Sequence, residues 1–268
     1  MFIDKSKKPQ DYLVAHRGYS QSFPENTLLA IQAALDEGAK YIEIDIQLSA
    51  DKQAVVFHDR DLQRLCHQPD SIHDYSLQTL RSFSSYSPDR FKDKYFGEKI
   101  ATLDEVVALF SAYPEVTLFV ELKRISIDEF GDDVVLGVIE NCLRPIISQC
   151  VIISFSFDIL ELIREKKSLP FGAVPVGAIP VGAILDEWNA AITTEYTRLE
   201  RLNPEYFFCD IASLPDKGQL NLLNSKIITY ECIEPEKAIA VLQQGVSFVE
   251  TFNIKGMLQG IKNEWSRM

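Results

Sequence analysis

The chain has 268 residues, 46% of them hydrophobic, and its 39 acidic and 27 basic side chains leave a net charge of −12. That length suits one large domain over residues 1–268, since α/β barrels run to roughly 250 residues. An acidic surface repels nucleic acid and anionic membrane, and no run approaches the roughly 18 apolar residues of a membrane span. An anionic small-molecule substrate would therefore need a local positive site or a metal.

The chain opens Met-Phe-Ile-Asp-Lys-Ser-Lys-Lys, without the apolar stretch of a signal peptide. Five cysteines (Cys66, Cys142, Cys150, Cys209, Cys232) are odd in number and scattered, with no C-x-x-C pair. They read as reduced packing residues of a cytoplasmic protein. Nothing in the sequence speaks to oligomeric state.

In chain order, Tyr12–His16 reads as a short strand. Ser22 and Glu25 have the spacing of a capping box, and Leu28, Ile31 and Leu35 follow at helical intervals, with Gly38 near the helix end. Tyr41–Leu48 is a strand, a turn centres near Asp51, and Ala54–His58 returns as a second strand. Residues 60 to 100 are polar and lack a clean period. Their aromatics (Phe83, Tyr86, Phe91, Tyr95, Phe96) are expected to form a small core of their own, with His67 and His73 in surface loops.

Leu103–Phe110 is helical, and strands and helices alternate after it. The predicted strands are Thr117–Lys123, Val151–Phe155, Phe171–Val176, Tyr206–Ile211, Lys226–Ile233 and Phe248–Phe252. The predicted helices are about Gly131–Cys142, Ile159–Lys166, Leu185–Tyr196, Lys217–Asn224, Pro235–Gln244 and Met257–Trp265. With the hairpin return set aside, eight strands are each followed by a helix, the sum of a (β/α)8 TIM barrel. Residues of about 54–100 become a hairpin return plus an insertion after the second strand, on the face where barrel active sites sit. A tandem pentad, Val174–Ala178 then Ile179–Ala183, carries a proline in each copy, which argues against one long central strand.

Side chains alternate along a strand. In Tyr41–Leu48 the row Ile42, Ile44, Ile46 and Leu48 faces the helices, and Glu43, Asp45 and Gln47 face the barrel interior near its mouth. Two neighbouring carboxylates there repel and lose solvation, so they need a cation or protons, and a hard divalent ion fits best. Thr117–Lys123 repeats the pattern, making Glu121 a candidate third carboxylate ligand and Lys123 a charge partner or phosphate holder. The hairpin returns His58 to this place, and His16 ends the neighbouring strand. Two imidazoles beside a metal divide the work of deprotonating a nucleophile and protonating a leaving oxygen. Arg17 offers a fork matched to phosphate oxygens, and Gly18 a tight turn with close backbone approach. A lone histidine or an isolated E-x-D is usually structural; together, on the right faces of three strands, they point to metal-assisted phosphoryl chemistry.

At these residues the chain resembles the glycerophosphodiester phosphodiesterase family, kin in architecture to phosphatidylinositol-specific phospholipases C. The matching stretches are Ala15–Gly18 (AHRG), Pro24–Thr27 (PENT), Glu43–Asp45 (EID), Val56–Asp59 (VFHD) with Leu62 and Arg64, Glu121–Lys123 (ELK), and Ser154 with Phe155. The resemblance implies a TIM barrel, one divalent cation (Ca2+ or Mg2+), and hydrolysis of glycerophosphodiesters such as glycerophosphocholine or glycerophosphoethanolamine to glycerol 3-phosphate and an alcohol. It implies His16 and His58 as the acid/base pair, Glu43, Asp45 and Glu121 as metal ligands, and Arg17 and Lys123 as phosphate-holding cations. Tyr230 keeps an aromatic able to cover the glycerol. The C-terminal strands depart from the family pattern at Ile233 and Phe252, which puts any change on the pocket for the alcohol or glycerol. Two alternatives stand beside this reading: a lysophospholipid-directed phospholipase of the same barrel type, and a non-catalytic phosphoester-binding barrel. The polar 60–100 stretch disfavours the first, and retention of both histidines and all three carboxylates disfavours the second.

Overall fold

The computed structural model describes residues 6–166, 179–188, 193–216 and 220–267. Its strands are β1 Leu13–His16, β2 Tyr41–Leu48, β3 Ala54–Val56, β4 Thr117–Leu122, β5 Cys150–Ser154, β6 Val181–Ile184, β7 Tyr206–Asp210, β8 Lys226–Tyr230 and β9 Phe248–Thr251. Eight of them pair in parallel, and the β1–β2 and β1–β9 ladders close the ring. Only β3 is antiparallel, returning against β2 with Ile46 opposite Val56. The protein is a TIM barrel, as the alternation of elements predicts.

Strand alternation separates two cores. Ile42, Ile44, Ile46 and Leu48 of β2, with Leu118, Val120 and Leu122 of β4, face outward into the layer shared with the helices. Val14, Phe119, Val151, Phe208, Ile228 and Phe248 turn inward and fill the barrel below its mouth. A parallel barrel has no free edge, so the backbone polar groups of its strands are paired around the ring.

The structure corrects the predicted elements in several places. Phe171–Val176 lies outside the described residues; the strand joining β5 to β7 is Val181–Ile184, which begins in the second copy of the pentad and ends one residue past it. Pro180 sits just before it, where its carbonyl accepts from Ile152 N at 3.1 Å and its missing N–H costs no ladder bond. A Cβ on Gly182 would stand 2.9 Å from the Ile153 side chain and 3.0 Å from that of Phe208, so glycine lets those inward side chains meet. In the predicted helix Leu185–Tyr196, residues 189–192 lie outside the described residues, and a helix over Tyr196–Leu202 follows. Residues 217–219 are likewise outside, and 220–224 are not helical, Leu223 and Asn224 having φ of 51° and 59°.

The first helix, Leu28–Asp36, is capped by Thr27, whose hydroxyl accepts from Ala30 N at 3.1 Å. Ser22 and Glu25 do not form the expected box, because Glu25 turns inward to two arginines. The insertion packs on an aliphatic core of its own, with Leu62, Leu65, Ile72, Leu80 and Ile100 buried beneath Phe57. The expected aromatic core is not what forms: Phe96 is 71% exposed, and Tyr95 donates to Ser22 O at 2.7 Å, fastening the insertion to the loop after β1. His67 is surface-exposed as expected, but His73 is buried and bonded through Nε2 to Ser126 Oγ at 2.9 Å.

Candidate active site

Register assembles the barrel mouth. β1 meets β2 with His16 opposite Glu43, and β2 meets β4 with Asp45 opposite Glu121. A parallel ladder places opposed inward residues side by side, so two strand pairings gather three carboxylates and an imidazole. A carboxylate oxygen from each of Glu43, Asp45 and Glu121 lies within 4.8 Å of the others. All three side chains are buried.

Lys123, one residue past β4, reaches Asp45 Oδ1 at 3.2 Å and Glu121 Oε1 at 2.8 Å. Arg17 Nε lies 3.1 Å from Asp45 Oδ2, and its Nη1 donates to Glu25 Oε1 at 2.8 Å. Burial would raise the Asp45 carboxyl, but Lys123 and Arg17 hold it well below the usual carboxylate range. Burial and the Asp45 charge push Glu43 and Glu121 the other way, above their ordinary value. Burial would lower the Lys123 ammonium, but Asp45 and Glu121 raise it above its ordinary value.

His16 sits between two carboxylates, with Nε2 3.6 Å from Glu43 and Nδ1 3.6 Å from Glu231. Its ring stacks on Phe252, centroids 4.9 Å apart and 6° from parallel. Burial, then the neighbouring Arg17 charge, hold the imidazole well below its ordinary pKa, so it is a neutral proton acceptor. His58 lies beyond the end of β3 rather than within it as predicted. Gln47 Nε2, pointing in from β2, is shared among the carbonyls of Phe57, His58 and Asp59 at 3.0, 3.0 and 2.6 Å, which fixes that loop. His58 Nδ1 meets Asp59 Oδ1 at 2.7 Å. Burial would raise the Asp59 carboxyl, but His58 and Arg64 hold it low; an ionised carboxylate only accepts, so Nδ1 is the donor.

Behind these groups, Asn26 and Asp45 exchange two hydrogen bonds, Nδ2 to Oδ2 at 2.8 Å and Asp45 N to Oδ1 at 3.2 Å. Glu25 takes Arg17 on one side and Arg64 on the other, and Arg64 continues to Asp59. Asp59 and Arg64 stand among the matching stretches and Glu25 and Asn26 lie in PENT, but their supporting contacts, and that of Gln47 on the inward row of β2, are not legible in the sequence.

The cavity at the mouth is lined by His16, Arg17, Glu43, His58, Glu121 and Lys123 on one side and by Tyr230, Glu231 and Glu250 on the other. Phe155, Ile153, Ile184 and Phe208 complete its wall. Every sequence-predicted site residue therefore meets at one place, with Asp45 just beneath the surface. The departures fall differently from expectation. Ile233 is 54% exposed and not on the wall, whereas Phe252 supports His16. Glu231 and Glu250, which sequence reading passed over, face the cavity.

A closed parallel barrel with two imidazoles, buried carboxylates and cations gathered at the C-terminal ends of its strands defines a TIM-barrel enzyme. The sequence profile of the glycerophosphoryl diester phosphodiesterase family matches residues 16–195, and the chain belongs to that family. A glycerophosphodiester phosphodiesterase of Caldanaerobacter subterraneus is 30% identical over 199 residues, covering 73% of this chain and 76% of that protein. One from Bacillus altitudinis is 35% identical over 113 residues, a match spanning 42% of this chain and 45% of that protein. A phosphodiesterase of Oleispira antarctica, solved with its product sn-glycerol 3-phosphate, shares the fold with a TM-score of 0.77 at 22% identity, covering 94% of this chain and 96% of that one.

The donor set fits a hard divalent cation. Glu43 Oε1 is buried without a hydrogen-bond partner, and Asp45 Oδ1 and Glu121 Oε1 are buried with only the Lys123 ammonium beside them. Three buried carboxylates with one oxygen each within 4.8 Å of the others suit a cation that prefers oxygen ligands. Among the described residues no helix is long and apolar enough to cross a membrane.

Proposed function

We propose that the protein hydrolyses glycerophosphodiesters to glycerol 3-phosphate and an alcohol, with residues 1–268 acting as one phosphodiesterase unit. The observation that carries this reading is the meeting of two histidines, three carboxylates and two cations on one cavity at the barrel mouth. The names of the relatives support the same substrate class.

Glu43, Asp45 and Glu121 hold one divalent cation, Ca2+ or Mg2+, which supplies a Lewis acid for a phosphoryl oxygen. Arg17 and Lys123 hold the remaining phosphoryl oxygens and offset the charge that builds on them. His16, neutral in its buried setting, takes the proton of the attacking water, or of the neighbouring glycerol hydroxyl in a first step whose cyclic phosphodiester water then opens to glycerol 3-phosphate. His58, oriented by Asp59 and Gln47, gives a proton to the leaving alcohol oxygen. Tyr230 covers the organic part of the substrate from the opposite wall. Residence in the cytoplasm is supported by five cysteines without a disulfide among them.

The test is release of glycerol 3-phosphate from glycerophosphocholine and glycerophosphoethanolamine with calcium, magnesium or chelator, for wild type and His16→Ala. Metal-dependent release that falls by about 1,000-fold or more in the variant is expected. Release that persists in chelator, or in His16→Ala, would overturn the metal or the acid/base assignment respectively. No release by a folded, metal-loaded sample would overturn the substrate class.

A further inference from the structure

Glu250 is a buried carboxylate with no evident partner. It lies on β9 between Val249, which packs outward, and Thr251, and it turns inward one position above the interior residue Phe248. It is 2% exposed, its Oε1 has no hydrogen-bond partner, and it lines the same cavity as Glu43 and Glu121. The protein's own cations are already engaged: Arg17 by Glu25 and Asp45, Lys123 by Asp45 and Glu121. The charge felt most strongly by Glu250 is another carboxylate, that of Glu121.

Glu43, Asp45, Glu121, Glu231 and Glu250 gather on the cavity and just beneath it, and outnumber the two cations there, Arg17 and Lys123. A crowd of buried carboxyls of this kind favours a bound cation. Glu250 is not in the group whose oxygens lie within 4.8 Å of one another, so it stands outside the direct ligand set. Three carboxylates do not fill the coordination sphere of Ca2+ or Mg2+, and these hard ions keep water in the remaining positions. Such water needs acceptors around it.

We propose that Glu250 is the outer carboxylate of the metal centre, accepting hydrogen bonds from the water that the cation retains. This rests on the divalent-cation reading given above. Outer partners of this kind orient the ligand sphere, and their loss typically weakens metal affinity 10- to 100-fold.

The test is calorimetric titration of the apo protein with CaCl2 or MgCl2 alone, without substrate, for wild type, Glu250→Gln, Glu250→Asp and Glu121→Gln, paired with thermal melts of apo and loaded samples. The expected result is one ion bound by wild type, loss of binding in Glu121→Gln, and affinity about 10- to 100-fold weaker in Glu250→Gln, with Glu250→Asp between it and wild type. The apo form of Glu250→Gln should melt no lower than wild-type apo protein, because a buried carboxyl without a hydrogen-bond partner at Oε1 is gone, while its metal-induced rise in Tm shrinks. A residue that only filled space would not separate those two shifts. Affinity within twofold of wild type in Glu250→Gln would overturn this proposal and leave the metal reading standing. A wild type that binds no divalent ion would overturn both.

Discussion

Glu25 answers two arginines at once, and its 5% exposure makes that arrangement costly to break. Glu25→Gln leaves each arginine one carboxylate, Asp45 for Arg17 and Asp59 for Arg64, so it is expected to lower stability by about 1–3 kcal/mol in denaturant unfolding of the apo protein. Burial would raise the Glu25 carboxyl, but Arg64 and Arg17 hold it below its ordinary value. Its stabilising contribution is therefore complete above the ordinary carboxyl range near pH 4–5 and is lost as pH falls through the lowered folded value. The acid limb of the stability–pH curve should be flatter in Glu25→Gln than in wild type; an equally steep limb would assign the acid sensitivity elsewhere. Gln47 makes a different kind of contribution, since it touches no reacting group and holds the loop that carries His58. Gln47→Leu is expected to cut kcat on the order of 10- to 100-fold with KM and metal affinity little changed, because a misplaced proton donor costs rate rather than binding.

At the scale of elements, the turn after β1 shows how backbone conformation serves the site. Arg17 and Gly18 both have positive φ, 57° and 77°, and this double left-handed step swings the guanidinium back over β2. A Cβ at Gly18 would stand 2.6 Å from the backbone of Ala30, so the turn packs directly on the first helix. Gly18→Ala combines strained φ with a backbone clash, and a loss of about 1–3 kcal/mol is expected, read as a lower denaturant midpoint. An unchanged midpoint would mean that the turn relaxes without consequence. The insertion is legible only in part. Its place after β2 follows from counting elements, but its delivery of Arg64 to Glu25 and Asp59, and its anchoring by His73 on Ser126, depend on contacts between segments 39 and 53 residues apart. A polar stretch without period carries no sign of which side chain will turn inward.

For the whole molecule, the acidic balance and the site agree. In a chain of net charge −12 the barrel mouth holds two cations, Arg17 and Lys123, among carboxylates that outnumber them, so an anionic substrate there calls for a further cation. The three carboxylates proposed as ligands come from β2 and β4, so a cation held by them would tie adjacent strands of the ring together. An ion at 100 times its Kd contributes about 2.7 kcal/mol, and the expected rise in Tm over chelated protein is roughly 5–10 °C, measured by calorimetry. Equal melting with and without metal would show that the carboxylates do not bind it. The cysteines play no part in this balance: burial pushes the thiols of Cys150 and Cys209 up to about 12, as expected of packing residues.

The sequence by itself determined the barrel and the residues that gather at its mouth. Both rest on local regularities, strand alternation in Tyr41–Leu48 and Thr117–Lys123 and the spacing of His16, Glu43, Asp45 and His58, which need no knowledge of distant contacts. Only the tertiary structure decided where the sixth strand lies and that Glu25 abandons its cap for two arginines. It alone turned Glu231 and Glu250 into the cavity in place of Ile233. Those outcomes depend on which strands become neighbours, and on burial that leaves a charged group no alternative to a partner brought from elsewhere in the chain.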